Sequence, residues 1–226
     1  MKAHQSTAVE LISTLPVGKL LDAGSGTGEM GNLLAQRGFK VISLDMYDIG
    51  GAGGPFVLAD MNAPLPFADA SFDYVLCSES LQYLENHAAL FREFRRVLKK
   101  TGSVILSMPN VLSAGSRFYF FRRGYFPHFK PVRTKDPKRG WDALAYNPAS
   151  LVDIIEVMRK NRFEIQKVLA SKIKAANLPL YVFLKATYAT GLLFEKNPEK
   201  AALLRLLSSR ETLMGDHLVM QFRALS

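Results

Sequence analysis

The chain holds one cysteine (Cys77), one tryptophan and four histidines in 226 residues. A lone thiol excludes an internal disulfide framework and any cysteine-rich zinc site. His4, His87, His128 and His217 lie far apart with no HExxH-type pair, so the sequence predicts no metal site. The opening residues, Met1-Lys2-Ala3-His4-Gln5-Ser6, lack the apolar stretch of a secretory signal. The longest apolar region, Leu178 to Phe194, is interrupted by Pro179, Lys185, Thr187 and Thr190, whereas a spanning helix needs about 20 mainly apolar residues. These absences predict a protein of the reducing cytoplasm. Acidic residues are also scarce, 20 against 29 lysines and arginines, for a net charge of +9. With 48% hydrophobic residues the chain is not disordered, and irregular Gly and Pro placement excludes a fibre.

What is present is alternation. Short apolar runs at Lys19–Asp22, Lys40–Asp45, Pro55–Ala59, Phe72–Cys77 and Ser103–Met108 read as strands. Helical patterns lie at 5–15, at Met30/Leu33/Leu34 and at Leu90/Phe91/Phe94/Val97/Leu98. Asn86 is placed to cap this third helix, Arg92, Arg95, Arg96, Lys99 and Lys100 to face solvent, and Gly102 to close it. Asn147-Pro148 predicts the start of a further helix, and Phe163–Ala170 and His217–Ala224 two late strands. Between those strands, Leu178–Leu207 predicts two helices broken at Asn197-Pro198, packed into the core. Alternating strands and helices imply an α/β, doubly wound, mainly parallel sheet, which binds ligands beyond the carboxyl ends of its strands.

The residues at those ends carry the functional signal. After the first strand comes Asp22-Ala23-Gly24-Ser25-Gly26-Thr27-Gly28, a turn whose backbone can approach a ligand closely. Asp45 ends the second strand, where a carboxylate can accept from both hydroxyls of a ribose. Asp60-Met61 follows the third strand, placed to meet an exocyclic amine, with Met46 or Met61 against the base, and Ser78-Glu79-Ser80 follows the fourth. Each feature alone is equally a turn or a cap; their joint order points to an adenosine-containing ligand. The segment Gly26–Gly31 also fits GxGxxG, the fingerprint of a nicotinamide-dependent oxidoreductase. That reading leaves Asp60-Met61 and Pro64-Leu65-Pro66-Phe67 without a role and ranks behind.

Leu20–Gly28 resembles the first motif of the class I S-adenosylmethionine-dependent methyltransferases. Ala59–Phe67 with Ser71–Val75 is similar to that family's third- and fourth-strand region, and Leu90–Asn110 to its helix and fifth strand. The likeness runs closely through residues 18–110 and is greatest to the small-molecule group that includes quinone-biosynthesis methyltransferases. It implies a Rossmann-like seven-stranded sheet with the last strand antiparallel, and S-adenosylmethionine as cofactor. It implies that Asp22, near the amino group, and the backbone of Gly24, Ser25, Gly26, Thr27 and Gly28 hold the methionine portion. Asp45 then takes the ribose, Asp60 the adenine amine and the Met61 backbone the ring, with Met46 and Ser78 alongside. Where many relatives carry a histidine after the fourth strand, this chain has Tyr83.

Methyl transfer from a sulfonium needs mainly alignment and exclusion of water, with a base only for a poor nucleophile. Glu79, Tyr83 and His128 are the candidate catalytic groups, and Tyr83, Asn110, Arg117 and Trp141 the candidate acceptor contacts. The chain reads as one domain: a cofactor-binding half (1–110), a lid insertion (111–146) and a substrate-side half (147–226). The lid interleaves Arg117, Arg122, Arg123, Lys130, Arg133, Lys135, Lys138 and Arg139 with Phe118, Phe120, Phe121, Tyr125 and Trp141. Such a mixture suits a small apolar or anionic acceptor, and leaves RNA or an anionic membrane surface open as partners, as it does a homodimer.

Overall fold

The computed structural model describes residues 1–130 and 147–225. Seven strands form one sheet: β1 (Lys19–Ala23), β2 (Lys40–Asp45), β3 (Phe56–Leu58), β4 (Phe72–Ser78), β5 (Leu98–Pro109), β6 (Phe163–Ala170) and β7 (His217–Ala224). Their spatial order is β3-β2-β1-β4-β5-β7-β6. β1 to β5 pair in parallel, and β7 runs antiparallel to both β5 and β6. The seven strands and the reversed last one are as the sequence predicts.

Among the described residues eight α-helices accompany the sheet: α1 (Ala3–Ser13), α2 (Glu29–Gln36), α3 (His87–Val97), α4 (Ala114–Arg123), α5 (Leu151–Lys160), α6 (Leu178–Phe194), α7 (Pro198–Leu207) and α8 (Arg210–Met214). Successive strand residues point to opposite faces, so the central strands supply two cores. Leu20, Leu76, Ile105 and Val219 face α1 and α2, packing with Val9, Ile12, Met30 and Leu34. Their neighbours Leu21, Val75, Cys77, Val104, Leu106, Leu218 and Met220 face Phe91, Phe94, Leu151, Ile154 and Met158. A sheet covered on both faces leaves its strand ends as the place for a ligand.

Three local readings are corrected. The third helix ends at Val97, and Leu98 already pairs with Phe72 in β5. Gly102 therefore caps nothing: it lies in an irregular opening of β5, where a Cβ would stand 3.0 Å from the Asp73 carbonyl. Arg96 is not a solvated cation. Its guanidinium donates to the carbonyls of Phe67 (2.7 Å) and Leu65 (2.9 Å) and pairs with Glu93, whose carboxylate accepts from the Leu65 amide. The Pro64–Phe67 segment is clamped to α3 in this way. Finally, α6 contributes nothing to the core, since none of its residues is buried.

Helix α5 also starts differently. Its N-cap is Ser150, which forms a capping box with Asp153, while the Asn147 side chain donates to the Leu84 carbonyl. Ser150→Ala should cost about 1 kcal/mol in chemical denaturation, whereas Pro148→Ala should stay within about 0.5 kcal/mol. Equal effects would return the cap to the Asn147-Pro148 pair.

Candidate functional site

Between β1 and α2 the backbone turns through Gly24, Gly26 and Gly28, all with positive φ (77°, 53° and 70°). The turn hangs from β2: the amides of Gly24 and Ser25 both donate to the Leu44 carbonyl, at 2.8 and 3.0 Å. Asp45 Oδ2 accepts from the Gly26 amide at 2.8 Å. At Gly24 a Cβ would meet Ser80 Oγ at 2.2 Å and Met61 Cε at 3.0 Å, so only glycine fits. Beneath the turn Asp22 is wholly buried, and neither carboxylate oxygen has a hydrogen-bond partner among the described residues. Burial pushes its pKa up to about 7; the Gly31 amide, close by but outside hydrogen-bond geometry, opposes the rise, and the Asp45 charge adds to it. The buried Ser25 hydroxyl is likewise unpartnered. Thr27 is exposed, as are Met46 and Asp60, whose carboxylate accepts from Asn62 in an Asx turn. Met61 is buried against the core.

The end of β4 joins this turn to a second concavity. Ser78 is buried and its hydroxyl lies 2.7 Å from that of Ser107. Glu79 then takes a left-handed φ of 56°, held by its amide donating to the Ser107 carbonyl at 2.9 Å. Ser80 touches Gly24, whereas Glu79 points the other way, into a cavity of about 430 Å³. Its walls include Lys2, His4, Tyr83, His128, Lys172 and His217.

Three of the four histidines meet there. The His217 ring lies 4.8 Å from that of His4 and 5.2 Å from that of His128. Its Nε2 is 3.5 Å from Glu79 Oε2 and its Nδ1 3.3 Å from Asp216 Oδ2. Asp216 also pairs with Lys174. Burial disfavours the charged form of His217, yet the two carboxylates outweigh it and raise its pKa. Burial lowers those of His4 and His128. No local spacing announces this cluster: positions 4, 79, 128, 216 and 217 meet only through the fold, which is why the sequence predicts no metal site.

Other candidates fare differently. Glu79, Tyr83 and His128 all reach the cavity. Asn110 is buried, and both N–H donors of its amide are spent on the carbonyls of Thr212 (2.7 Å) and Gly215 (3.0 Å), so it joins β5 to α8 rather than facing an acceptor. Arg117 donates to the Leu112 carbonyl and the Tyr188 hydroxyl, tying α4 to α6. Trp141, with Arg133, Lys135, Lys138 and Arg139 of the expected lid, lies outside the described residues. Cys77, buried in β4, has its thiol pushed up to about 12 by burial and offers no nucleophile. Among the described residues no helix is long and apolar enough to cross a membrane.

A family model described as "Methyltransferase domain" matches residues 21–106. The demethylmenaquinone methyltransferase of Corynebacterium urealyticum is 31% identical over 170 residues, 71% of this chain and 67% of that protein. The enzyme of the same name from Thermotoga maritima is 28% identical over 176 residues, 70% of this chain and 75% of that one. A Thermotoga maritima crystal structure, described as a possible histamine N-methyltransferase, superposes with a TM-score of 0.59 at 18% identity, covering 98% of this chain and 91% of its own. The 1,6-didemethyltoxoflavin-N1-methyltransferase of Burkholderia thailandensis, solved with S-adenosylhomocysteine bound, gives 0.57 at 13% identity, covering 99% and 79%. With the strand order, the glycine turn and these relatives in agreement, the chain belongs to the class I S-adenosylmethionine-dependent methyltransferases.

Proposed function

We propose that the Gly24–Gly28 turn holds S-adenosylmethionine and that the histidine-lined cavity takes a small, polar or anionic acceptor. The observation that carries this reading is the divergence of two consecutive side chains, Ser80 against the glycine turn and Glu79 into the cavity. The cofactor and acceptor positions then adjoin at one short stretch of backbone.

The residues present fit the cofactor. Asp22 and Ser25 keep buried oxygens unpartnered under the turn, and a buried carboxylate without a partner is costly unless a cation meets it. The ammonium group of the methionine portion is such a cation. Asp45 already orients its carboxylate at the turn through Gly26 and is placed for the ribose hydroxyls. Asp60, Met46 and Met61 stand at the next strand ends for the adenine ring, and Ser78 at the floor between. When bound, the cofactor supplies an activated methyl group on its sulfonium. The protein's part is to align the acceptor and keep water away. Lys2 and Lys172 add positive charge to the cavity wall, which draws an anionic acceptor, and Tyr83 stands at its edge. Residues 1–226 act as one domain, with the cavity drawing on both the 1–110 half and the 147–226 half.

Two measurements test the cofactor assignment. Calorimetry should show S-adenosylmethionine binding that weakens about 10–100-fold in Asp45→Ala, the worth of hydrogen bonds to a charged group. Tight NADH binding with none of the sulfonium compound would sink the assignment. Labelled cofactor incubated with fractionated extract should place label in the small-metabolite pool rather than in RNA or protein.

Asp22 makes a separate prediction with a defined sign. Its pKa is raised in the folded state, so the native chain binds more protons than the unfolded one between about pH 4 and pH 7. This group's contribution to stability is complete below about pH 4 and lost as pH rises through 7. Asp22→Asn should therefore melt above wild type at pH 8, by a few kcal/mol at most, and converge with it near pH 4. Cofactor binding should release a proton below pH 7 in wild type and none in Asp22→Asn, read by calorimetry in two buffers of different ionisation enthalpy. Parallel melting curves and no proton release would detach Asp22 from this role.

A further inference from the structure

We propose that His4, Glu79 and His217 bind a divalent transition-metal cation of the zinc type in the wall of the cavity. One ligand atom from each lies within 4.8 Å of the other two. The Glu79 Oε2 to His217 Nε2 distance of 3.5 Å matches the roughly 3.3 Å between donors of a tetrahedral site whose bonds are near 2.0–2.1 Å. Two imidazoles and one carboxylate are a borderline-soft donor set, suited to zinc or cobalt and poorly to magnesium.

The surroundings are built as metal ligands require. His217 presents Nε2 to the cluster while its Nδ1 faces Asp216 at 3.3 Å, the carboxylate–histidine arrangement that fixes a ligating imidazole. Asp216 is anchored by Lys174, and its amide donates to the Lys172 carbonyl at 2.9 Å. Glu79 is held at both ends: its backbone is in the left-handed region, and Ser107 Oγ donates to its Oε1 at 3.3 Å, leaving Oε2 toward the histidines. A strained backbone that aims one carboxylate oxygen is characteristic of functional positions. His4 is 6% exposed, an imidazole brought into the cluster by the first turn of α1.

Three protein ligands leave a coordination position open to the cavity. Taken with the acceptor-side reading, on which this use of the metal rests, that position receives a hydroxyl or enol oxygen of the acceptor and lowers its hold on the proton. The proton leaves to solvent. The oxygen–methyl bond forms as the carbon–sulfur bond breaks, and the electron pair stays on sulfur.

The test uses the full chain, stripped with chelator and titrated with Co²⁺, Zn²⁺ and Mg²⁺. One Co²⁺ per chain should bind with the visible absorption of a nitrogen- and oxygen-ligated ion, be displaced by Zn²⁺ and be untouched by Mg²⁺. Glu79→Gln, His4→Gln and His217→Gln should each lose more than about 100-fold in Co²⁺ affinity, and Asp216→Asn about 10–100-fold. His87→Gln, outside the cluster, should bind as wild type. Less than one Co²⁺ per wild-type chain overturns the proposal whatever the variants do, as do cluster variants that bind undiminished. S-adenosylmethionine binding is read on the same samples. Its persistence without metal uptake refutes the metal site alone, whereas its absence refutes the proposed function.

Discussion

The site depends on how the backbone leaves β4. Within three residues the chain places Ser78 on the floor between β4 and β5, swings Glu79 through a left-handed φ of 56°, and sets Ser80 against Gly24. For a residue with a Cβ that conformation costs on the order of 1–2 kcal/mol. The hydrogen bond from the Glu79 amide to Ser107 sustains it. An ordinary extended residue at 79 would send its side chain toward one face of the sheet. Glu79 would then no longer reach the cavity while its neighbour Ser80 packs against the glycine turn. Gly24 answers the same constraint, because the Ser80 side chain occupies the place of any Cβ there.

Electrostatics divides the two sides. Under the glycine turn there is one buried carboxylate with no partner among the described residues, a local excess of negative charge in a medium that stabilises it poorly. Around the cavity three histidines and Lys2, Lys172 and Lys174 meet Glu79 and Asp216. A cofactor carrying both an ammonium and a sulfonium suits the first environment, and an anionic acceptor the second. The net charge of +9, which read alone leaves RNA or a membrane surface open, is thus partly resolved into local roles. Arg96 clamps the Pro64–Phe67 segment and Arg117 joins two helices, so neither is held in reserve for a polyanion.

The sequence shows the parts of this design that are written locally. The short apolar run Lys40–Asp45, the alternation of Leu218, Met220, Phe222 and Ala224, and the helical spacing of Leu90, Phe91, Phe94 and Val97 mark elements that the structure reproduces nearly to the residue. The order of glycines and aspartates at the strand ends gave the fold family. What stayed hidden depends on distance along the chain. Asn110 reads as a polar residue after a strand, yet both its amide donors are spent on carbonyls more than 100 residues away. Helix α6 reads as core because its composition is apolar, but apolar composition does not say which surface receives it, and none of its residues is buried. The histidines are the plainest case. Ligand spacing is a signal only when neighbours in sequence are neighbours in space, and His4 and His217 stand at opposite ends of the chain.

That the ends meet at this edge follows from the reversal of β7. In a wholly parallel sheet only the carboxyl ends of strands, and the loops after them, reach the ligand-binding edge. An antiparallel strand brings its first residues to that same edge instead. The pairing of Pro109 with His217 sets the start of β7 beside the end of β5, so Asp216 and His217 arrive beside Glu79. His217 pairs with Pro109 of β5 and its carbonyl accepts from the Ser171 amide just past β6, while Asp216, in the bend before β7, is held by backbone hydrogen bonds to Asn110 and Lys172. Helix α1 packs across β5 and β7 and carries His4 to the same place. A rigid polar cluster at this edge is therefore a consequence of strand direction: reverse one strand, and the far end of the sequence reaches the edge where the other strands end.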